Sequence, residues 1–496
     1  MHNYYRTIWL AFAAAAALEA VSYLAFAFPY TAALIFFLAA IAGIAGTITK
    51  LEWGIQLALI ELIIGSLGTM LVLPLGGFVL TYRMVLWIAL LASFGIRALS
   101  GSVRACSMPF PRQFVILAAV ILWGIGWGFV RGNPVTDVLS DVNNYFYFAL
   151  IIPAYAAVRS NILRKQIPAI VAAAGTWVAL KTLILYYLFS HELFSAQDIL
   201  YTWSRSSRLA EITNVDPTII LSRIFMQSQI WLVFGLFVVL GLVYALVYKK
   251  QTRTSELTVP LIVALVWISA IIASFSRSFW LAIAATLILM VLVLAVLLRE
   301  QLKRVGSFLA LCVGVGVLSV AFTIGIAQFP IPNGTSSADF IKSRAGKFSG
   351  ESAVSSRYAQ IRPLLNAIRI HPVIGSGFGT GVTYASQDPR VLAHHPDGNY
   401  TTTAFELGWL EIWLKMGLLG AGAYLYLLYV IFRKGLRVAI GLKQTNPAIA
   451  YGTLGALMGL VALTGTHLVS PYLNHPLGIG IVITVAAAVD YLKTKH

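Results

Sequence analysis

Long apolar runs alternate with short polar segments along almost the whole chain. Each run is about 17–25 residues long, the length that a helix needs to cross the hydrocarbon core of a bilayer. A transmembrane β-barrel would instead show segments of about ten residues in which apolar and polar positions alternate. The pattern predicts an all-α, polytopic transmembrane helical bundle of about 12–14 spans. The fourteen predicted spans are 8–28, 30–48, 53–75, 84–99, 113–131, 143–158, 167–189, 226–248, 258–276, 279–298, 305–327, 406–432, 447–469 and 473–491.

Short basic loops orient these spans, because Lys and Arg accumulate on the cytoplasmic side of a membrane protein. In the fourteen-span arrangement every short basic loop falls on the same side as both termini. We therefore expect cytoplasmic termini, and we expect the first apolar run to remain as a span because no small-residue cleavage site follows it. The basic loops are 97–112, 159–165, 249–253, 299–304 and 433–443.

Two long polar segments fall on the opposite, outer side of the predicted bundle. They divide the chain into spans within 1–327, which include a smaller loop at 190–225, a large loop at 328–405, and further spans within 406–496. We expect the large loop to contain amphipathic helices and to close over the outer face of the bundle.

One amphipathic helix is predicted between residues 354 and 370, where Ile361, Leu364 and Ile368 recur at helical spacing. Arg357 lies on the same stripe, so its side chain should face packed protein. Pro363 should kink this helix or mark a new start.

Composition narrows the possible functions. The chain of 496 residues is 59% hydrophobic and 11% charged, with a net charge of +17. In a membrane protein much of this positive charge comes from Lys and Arg on the short loops that set the orientation of the spans. Nucleic acid is therefore not the expected partner. Cys106 and Cys312 should lie at different depths, which predicts no disulfide between them. No spacing of ligand residues indicates a metal site or a redox pair.

Arginines on the outer side are the first candidates for binding. A guanidinium binds phosphate through a bidentate fork, and a charge that faces packed protein needs a partner. Arg357 therefore suggests an anionic ligand. Arg277, in the short turn between two spans, either points inward at a ligand or extends to the membrane interface. Lys342, Lys347 and Arg390 are expected to be solvated loop charges.

Three residues are candidates for a general base. His394 and His395 form a polar cluster on the route back to the membrane, although such residues are more often ordinary loop positions. Glu406 enters an apolar span near its outer boundary, where a carboxylate either does chemistry or only complements the helix dipole. Glu411 and Lys415, four residues apart, are expected to form a structural ion pair.

A run of alternating glycines follows the predicted amphipathic helix, at Gly375, Gly377, Gly379 and Gly381. It does not match a dinucleotide fingerprint or a P-loop, because no strand precedes it and no lysine follows. We predict a turn that shapes the cavity and could present backbone amides to an anion.

Taken together, these motifs resemble the O-antigen ligase and O-antigen polymerase superfamily. The resemblance rests on the Ser276–Trp280 turn, on Arg357 opening a helix that runs into His371–Gly379, on the Trp409–Gly420 return, and on the position of the long outer loop. It covers about residues 257–477, and the N-terminal half matches only as generic spans.

The resemblance implies a glycosyltransferase of the bacterial inner membrane, with the large loop in the periplasm and with no metal or cofactor. The donor would be a glycan on undecaprenyl pyrophosphate, and the acceptor a glycan or glycolipid. Arg277 and Arg357 would hold the pyrophosphate, with Arg362 and Arg208 as further candidates on the same side. A base would deprotonate the acceptor hydroxyl, with inversion at the sugar carbon.

This chain departs from the family pattern at the base. Many members carry His-Asn shortly before the return helix, where this sequence has Glu406-Leu407. The base is therefore either Glu406 or a histidine from the loop. Glu406 is the first candidate and His395 the second. Ligase and polymerase remain alternatives, as does a transporter or flippase of lipid-linked or anionic sugars. A membrane scaffold would have no use for Arg357 on an apolar stripe.

Overall fold

A computed structural model describes residues 2–101, 108–159, 161–195, 197–216, 219–249, 254–297, 301–330, 352–386 and 389–495. The predictions for Cys106, Lys342 and Lys347 fall outside these ranges.

Helices make up most of the structure, and three two-stranded antiparallel hairpins lie between them. The helices are α1 His2–Ala27, α2 Ala32–Thr49, α3 Leu51–Ile64, α4 Tyr82–Leu99, α5 Pro111–Val130, α6 Val135–Val142, α7 Ile151–Val158, α8 Asn161–Ser190, α9 Ile199–Ser206, α10 Gln229–Tyr248, α11 Thr254–Ala273, α12 Arg277–Leu297, α13 Leu302–Gln328, α14 Ser352–Ile370, α15 Pro389–Leu392, α16 Gly408–Leu442, α17 Pro447–Thr466 and α18 Pro476–Lys495. Short 3-10 helices cover Pro29–Thr31 and Asn143–Leu150. The strands are β1 Val72–Leu75, β2 Phe78–Thr81, β3 Glu211–Asp216, β4 Ile219–Phe225, β5 Val382–Ala385 and β6 Asn399–Thr402.

Twelve helices are long and apolar enough to cross a membrane in the part of the chain that the structure describes. This confirms the prediction of an all-α, multi-pass membrane protein. Each of the twelve corresponds to one of the fourteen predicted spans.

The other two predicted spans are not uninterrupted helices, which corrects the prediction for 53–75 and 143–158. The first consists of α3, only 14 residues long, followed by the β1–β2 hairpin. The second is a 3-10 helix that continues into the eight-residue α7. Fourteen helical residues span only about 21 Å. An apolar run predicts burial, but it does not reveal where the helix stops.

The end of α3 is fixed by a buried ion pair. Arg83 donates from Nε to the Glu61 carboxylate at 2.8 Å and from Nη1 to the carbonyl of Ser66 at 3.2 Å. Ser66 has a positive φ of 50°, so the chain turns sharply there. This turn sets the position of Leu67, which lines the cavity described below.

Close packing of α10 against α17 forms the centre of the bundle. Gly455 and Gly459 on α17 face α10, and a Cβ atom at Gly455 would lie 2.2 Å from the carbonyl oxygen of Phe237. Small residues let membrane helices approach closely enough for dispersion contacts between backbones. Substitution of Gly455 would force the two helices apart.

Helix α16 is interrupted at Gly417, whose φ of 68° and ψ of −171° are not helical. Such a break leaves backbone groups without helical partners, which is costly away from water. The segment after α14 supplies the partners. The amides of Leu418 and Leu419 donate to the carbonyls of Pro372 and Val373, at 2.9 and 3.2 Å.

The exchange also runs in the other direction. The amides of Ser376 and Gly377 donate to the carbonyls of Leu414 and Lys415, at 2.7 and 3.0 Å. Gly377 has a φ of 86°, and a Cβ atom there would lie 2.4 Å from the amide nitrogen of Gly128 on α5. Only glycine fits at this position, so the glycine run serves to insert the loop between α5 and α16.

A buried charge cluster secures the inserted loop. The Lys415 ammonium lies 2.9 Å from the Asp141 carboxylate and 2.6 Å from that of Glu411, and all three side chains are almost fully buried. The other Asp141 oxygen accepts a hydrogen bond from the amide of Gly379 at 2.8 Å. The predicted Glu411–Lys415 pair is confirmed, and Asp141 extends it to α6 and to the loop.

Helix α14 runs from residue 352 to 370 without ending at Pro363. Its apolar stripe packs as predicted, because Leu364 and Ile368 are buried against Val382 and Phe405. This contact places the start of α14 beside the start of α16, where the candidate site lies.

Lys415→Met should destabilise the protein strongly, because it leaves Asp141 and Glu411 buried without their cation. Removing one partner of a buried pair costs about 3–5 kcal/mol. The apparent melting temperature in detergent should fall by roughly 5 °C or more. Lys303→Met is the matched control, because Lys303 is exposed at the start of α13. Equal melting temperatures for the two variants would contradict a stabilising role for the cluster.

Candidate active site

A cavity of about 410 Å³ opens at the end of the bundle where α14 and α16 begin. Its volume falls within the range of about 300–1,000 Å³ that is usual for ligand sites. Loops, helix termini and one hairpin from both halves of the chain form its wall. The lining residues are Leu67, Glu211, Arg223, Phe225, Gln227, Phe275, Ser276, Arg277, Ser278, Arg357, Glu406, Val469, Ser470, Pro471, Tyr472 and His475.

Arg277 lines this cavity as the first residue of α12. The turn before it is tight, with Phe275 at a positive φ of 48°. The hydroxyl groups of Ser276 and Ser278 lie 3.0 Å apart, and the carbonyl of Ser276 accepts from the amide of Trp280 at 3.2 Å. A guanidinium at a helix N-terminus combines its own charge with the positive end of the helix dipole.

Arg357 and Glu406 meet at another part of the wall. The Nε atom of Arg357 lies 2.7 Å from Oε2 of Glu406, with side chains 31% and 39% exposed. The side chain of Gln360, one turn after Arg357 and buried, accepts from the amide of Glu406 at 3.2 Å. Helix α14 therefore positions Glu406 twice, through contacts between residues 46 or more positions apart.

Arg223 is a third arginine of the wall, and no motif in the sequence singled it out. It lies on β4, where Thr213 pairs with it and Glu211 pairs with Phe225. In an antiparallel pair, directly opposite residues and those two apart share one face, so the hairpin presents Glu211, Arg223 and Phe225 to the cavity. Arg223 donates from Nε to the carbonyl of Ser274 at 2.9 Å. This long-range contact places Arg223 in the same cavity wall as Arg277.

Two neutral groups complete the wall. Burial, with a contribution from nearby Arg83, lowers the pKa of His475 to about 3, so its imidazole is uncharged at neutral pH. Burial raises the pKa of Tyr472 well above its usual range, and the phenol stays protonated. Within the described ranges the Tyr472 hydroxyl has no hydrogen-bond partner in the protein.

The charge of this wall is positive at neutral pH. Three arginines face two carboxylates, which gives +1 when His475 is neutral. The wall therefore offers several guanidinium donors, a phenol and two carboxylates. This set can bind an anion such as a pyrophosphate and can accept a proton beside it.

The remaining predicted site residues lie elsewhere. His394 and His395 are exposed in the segment between α15 and β6 and are not among the residues lining the cavity. Arg362 is exposed on another flank of α14. Arg208 lines a neighbouring cavity together with Arg205.

The glycine turn does not present its amides to an anion bound in the cavity, which corrects that prediction for four residues. The amides of Ser376, Gly377 and Phe378 donate to backbone carbonyls, and that of Gly379 donates to Asp141. These residues do not line the cavity, and their hydrogen bonds instead join the turn to α5, α16 and Asp141.

A protein-family model matches part of the chain. Residues 261–425 match the family model described as O-antigen ligase, and no curated protein matches the chain. The matched segment contains Arg277, Arg357 and Glu406, but neither Arg208 nor Arg223. Residues 261–425 of this chain are therefore similar to the O-antigen ligase family, which supports the resemblance to the O-antigen ligase and polymerase superfamily.

Proposed function

We propose that the protein transfers a glycan from a polyprenyl pyrophosphate to the hydroxyl group of an acceptor sugar. The observation that carries the proposal is the meeting of Arg277, Arg357 and Glu406 in one cavity, although they are far apart in sequence. This arrangement supplies binding groups for the pyrophosphate and a carboxylate beside them. The donor lipid is undecaprenyl pyrophosphate in this proposal, as the resemblance to the superfamily suggests.

The arginines hold the pyrophosphate and stabilise it as the leaving group. Negative charge grows on the phosphate oxygen as the bond to the sugar breaks, and fixed cations favour that transition state. Arg277 contributes its guanidinium and the N-terminus of α12, while Arg223 approaches from the β3–β4 hairpin. Because these residues supply positive charge directly, the mechanism needs no metal ion.

Glu406 acts as the general base. In the structure Oε2 of its carboxylate is paired with Nε of Arg357 at 2.7 Å. A bound pyrophosphate competes for the same guanidinium. When Arg357 turns to the phosphate, Glu406 loses its counter-charge and can accept a proton, so donor binding prepares the base.

Transfer of the glycan then takes place in a single displacement step. Glu406 takes the proton of the acceptor hydroxyl while the oxygen forms a bond to the anomeric carbon of the donor sugar. The bond from that carbon to the phosphate oxygen breaks, and the polyprenyl pyrophosphate leaves with its electron pair. Attack from the face opposite the leaving group inverts the configuration at the anomeric carbon.

The location of the cavity fits an enzyme of the bacterial inner membrane whose substrates reach it from the periplasm. The donor and the acceptor, a glycan or glycolipid, both belong to the cell envelope in this proposal. Transfer to a core lipid would make the protein a ligase, and transfer to another lipid-linked repeat would make it a polymerase. Product length in the assay below distinguishes the two.

Arg277→Ala and Arg357→Ala should each reduce transfer by about 10²–10³-fold, the usual effect of removing one donor to a developing anion. Purified variants are incubated with a lipid-pyrophosphate glycan and candidate acceptors, and product is quantified over time. Arg362→Ala is the matched control, because Arg362 is exposed on the same helix as Arg357. Full activity of both cavity variants would refute the role of the arginines.

Glu406→Gln should abolish turnover while donor binding is retained or strengthened, since the amide cannot accept a proton and no longer competes for Arg357. His394→Ala and His395→Ala should keep most of the activity, because both histidines are exposed outside the cavity. The kcat of each variant is measured together with its affinity for the donor. A selective loss of kcat in a histidine variant, with Glu406→Gln active, would reassign the base.

A further inference from the structure

A second cavity lies directly beside the first. It has a volume of about 260 Å³ and is formed by the end of α9, the β3–β4 hairpin and the turn after α3. Four residues line both cavities, so the two share a wall. The shared residues are Leu67, Glu211, Phe225 and Gln227. The second cavity is built from residues outside the segment that matches the O-antigen ligase family.

Two arginines, Arg205 and Arg208, mark this cavity. They lie on one tight turn, because the amide of Arg208 donates to the carbonyl of Arg205 at 3.0 Å. Arg208 has a positive φ of 52°, which is unusual for a long side chain. The structure thus holds Arg208 in a strained backbone conformation, and such strain often accompanies a binding site.

The turn is rigidly anchored. The amides of Leu209 and Ala210 both donate to the carbonyl of Ser204, at 3.0 and 3.1 Å, and both side chains are buried. The hydroxyl of Thr69 donates to the carbonyl of Ser207 at 2.8 Å. The two arginines therefore extend from a fixed support, which reduces the entropy lost when they bind a ligand.

Arg205 is oriented by its own contacts. Its Nη1 atom donates to the hydroxyl of Tyr201 and to the carbonyl of Ile212, each at 3.2 Å, and its guanidinium lies 5.6 Å from the centre of the Tyr201 ring. A guanidinium carries five N–H donors, and these two bonds use donors of one nitrogen only. The N–H groups of the other two nitrogens can still bind a carboxylate or phosphate through two parallel hydrogen bonds.

The charges also separate the two cavities. Arg205 and Arg208 outweigh Glu211 in the second cavity, which leaves a net charge of +1. Glu211 lies in the shared wall, so a carboxylate stands between two groups of arginines. The Glu211 carboxylate would repel an anion at this shared wall, so the arginines on its two sides form two separate groups of cations.

We propose that the Arg205–Arg208 cavity is a second anion subsite, which binds a carboxylate or phosphate group attached to a sugar of the glycan substrate. This inference rests on the proposed function, because the shared wall places that sugar next to the transfer cavity. The group belongs either to the donor glycan or to the acceptor. In both cases the subsite selects acidic glycans over neutral ones.

Binding of D-glucuronate tests the subsite directly, with glucose as the neutral control. Binding to purified protein is measured by saturation-transfer NMR. Arg205→Gln and Arg208→Asn should each weaken glucuronate binding by about tenfold, the usual effect of losing one charge-assisted hydrogen bond. Asn is chosen at 208 because it tolerates a positive φ. Arg277→Ala should retain glucuronate binding, and so should Arg437→Gln, a control on an exposed position of α16.

The transfer assay identifies the source of the acidic group. Uronic acid-containing donor and acceptor are each used intact and after chemical reduction of the carboxyl group. Reduction of the partner that occupies the subsite should raise its KM about tenfold in the wild-type protein and leave kcat largely unchanged. Arg208→Asn should raise the KM of the intact partner equally and should add nothing for the reduced one.

Two outcomes would overturn the proposal. One is unchanged glucuronate binding in Arg205→Gln and Arg208→Asn. The other is an equal loss of binding in Arg277→Ala, which would mean a single shared site. The proposed function is judged separately, because it fails if the wild-type protein transfers no glycan at all, whether or not glucuronate binds to the second cavity.

Discussion

The insertion of the glycine turn into the break of α16 is the contact on which the cavity end of the bundle depends. A helix interrupted inside an apolar bundle must find partners for its free backbone groups. Here Pro372 and Val373 accept from the amides after Gly417, and Ser376 and Gly377 donate to the carbonyls before it. The loop and the helix each complete the hydrogen bonding of the other, so neither is stable in this form alone.

The site follows from that insertion. The residues just before the turn form α14, whose buried stripe packs on the start of α16 and brings Arg357 to Glu406. Lys415, two residues before the break in α16, forms ion pairs with Asp141 and Glu411. These ion pairs fix the segment of α16 that precedes Gly417. The wall of the cavity is therefore set by groups that do not touch a substrate. The partly buried Arg357–Glu406 pair is open to the cavity, so it contributes little stability by itself, and we assign it a chemical role instead.

Local patterns in the sequence predicted the long helices and the buried apolar stripe of α14. Apolar length is a local property, and a stripe at helical spacing shows which side of a helix is buried. The exceptions have physical causes. The run 53–75 contains a turn fixed by Arg83, and the run 143–158 starts as a 3-10 helix. Neither the turn nor the 3-10 helix can be predicted from the hydropathy of the sequence.

The candidate site was predictable only where a motif carried it. Arg277 and Arg357 lie in segments typical of the superfamily, and Glu406 stood out as a carboxylate that enters an apolar span. Arg223, Asp141 and the pairing of Glu406 with Arg357 depend on contacts between distant segments. The glycine run was recognised as a turn, but its amides meet carbonyls and a carboxylate of the protein itself. A sequence shows that a turn is possible, and only the fold shows what it binds.

In the proposed reaction the bond between the donor sugar and the pyrophosphate breaks in this cavity. The most direct measurement places the purified protein in liposomes with a polyprenyl-pyrophosphate glycan and an acceptor, and counts both products. The account predicts one polyprenyl pyrophosphate released for each new glycosidic bond. Movement of the glycan across the membrane with its pyrophosphate linkage intact, and without a new bond, would contradict the account and identify a transporter.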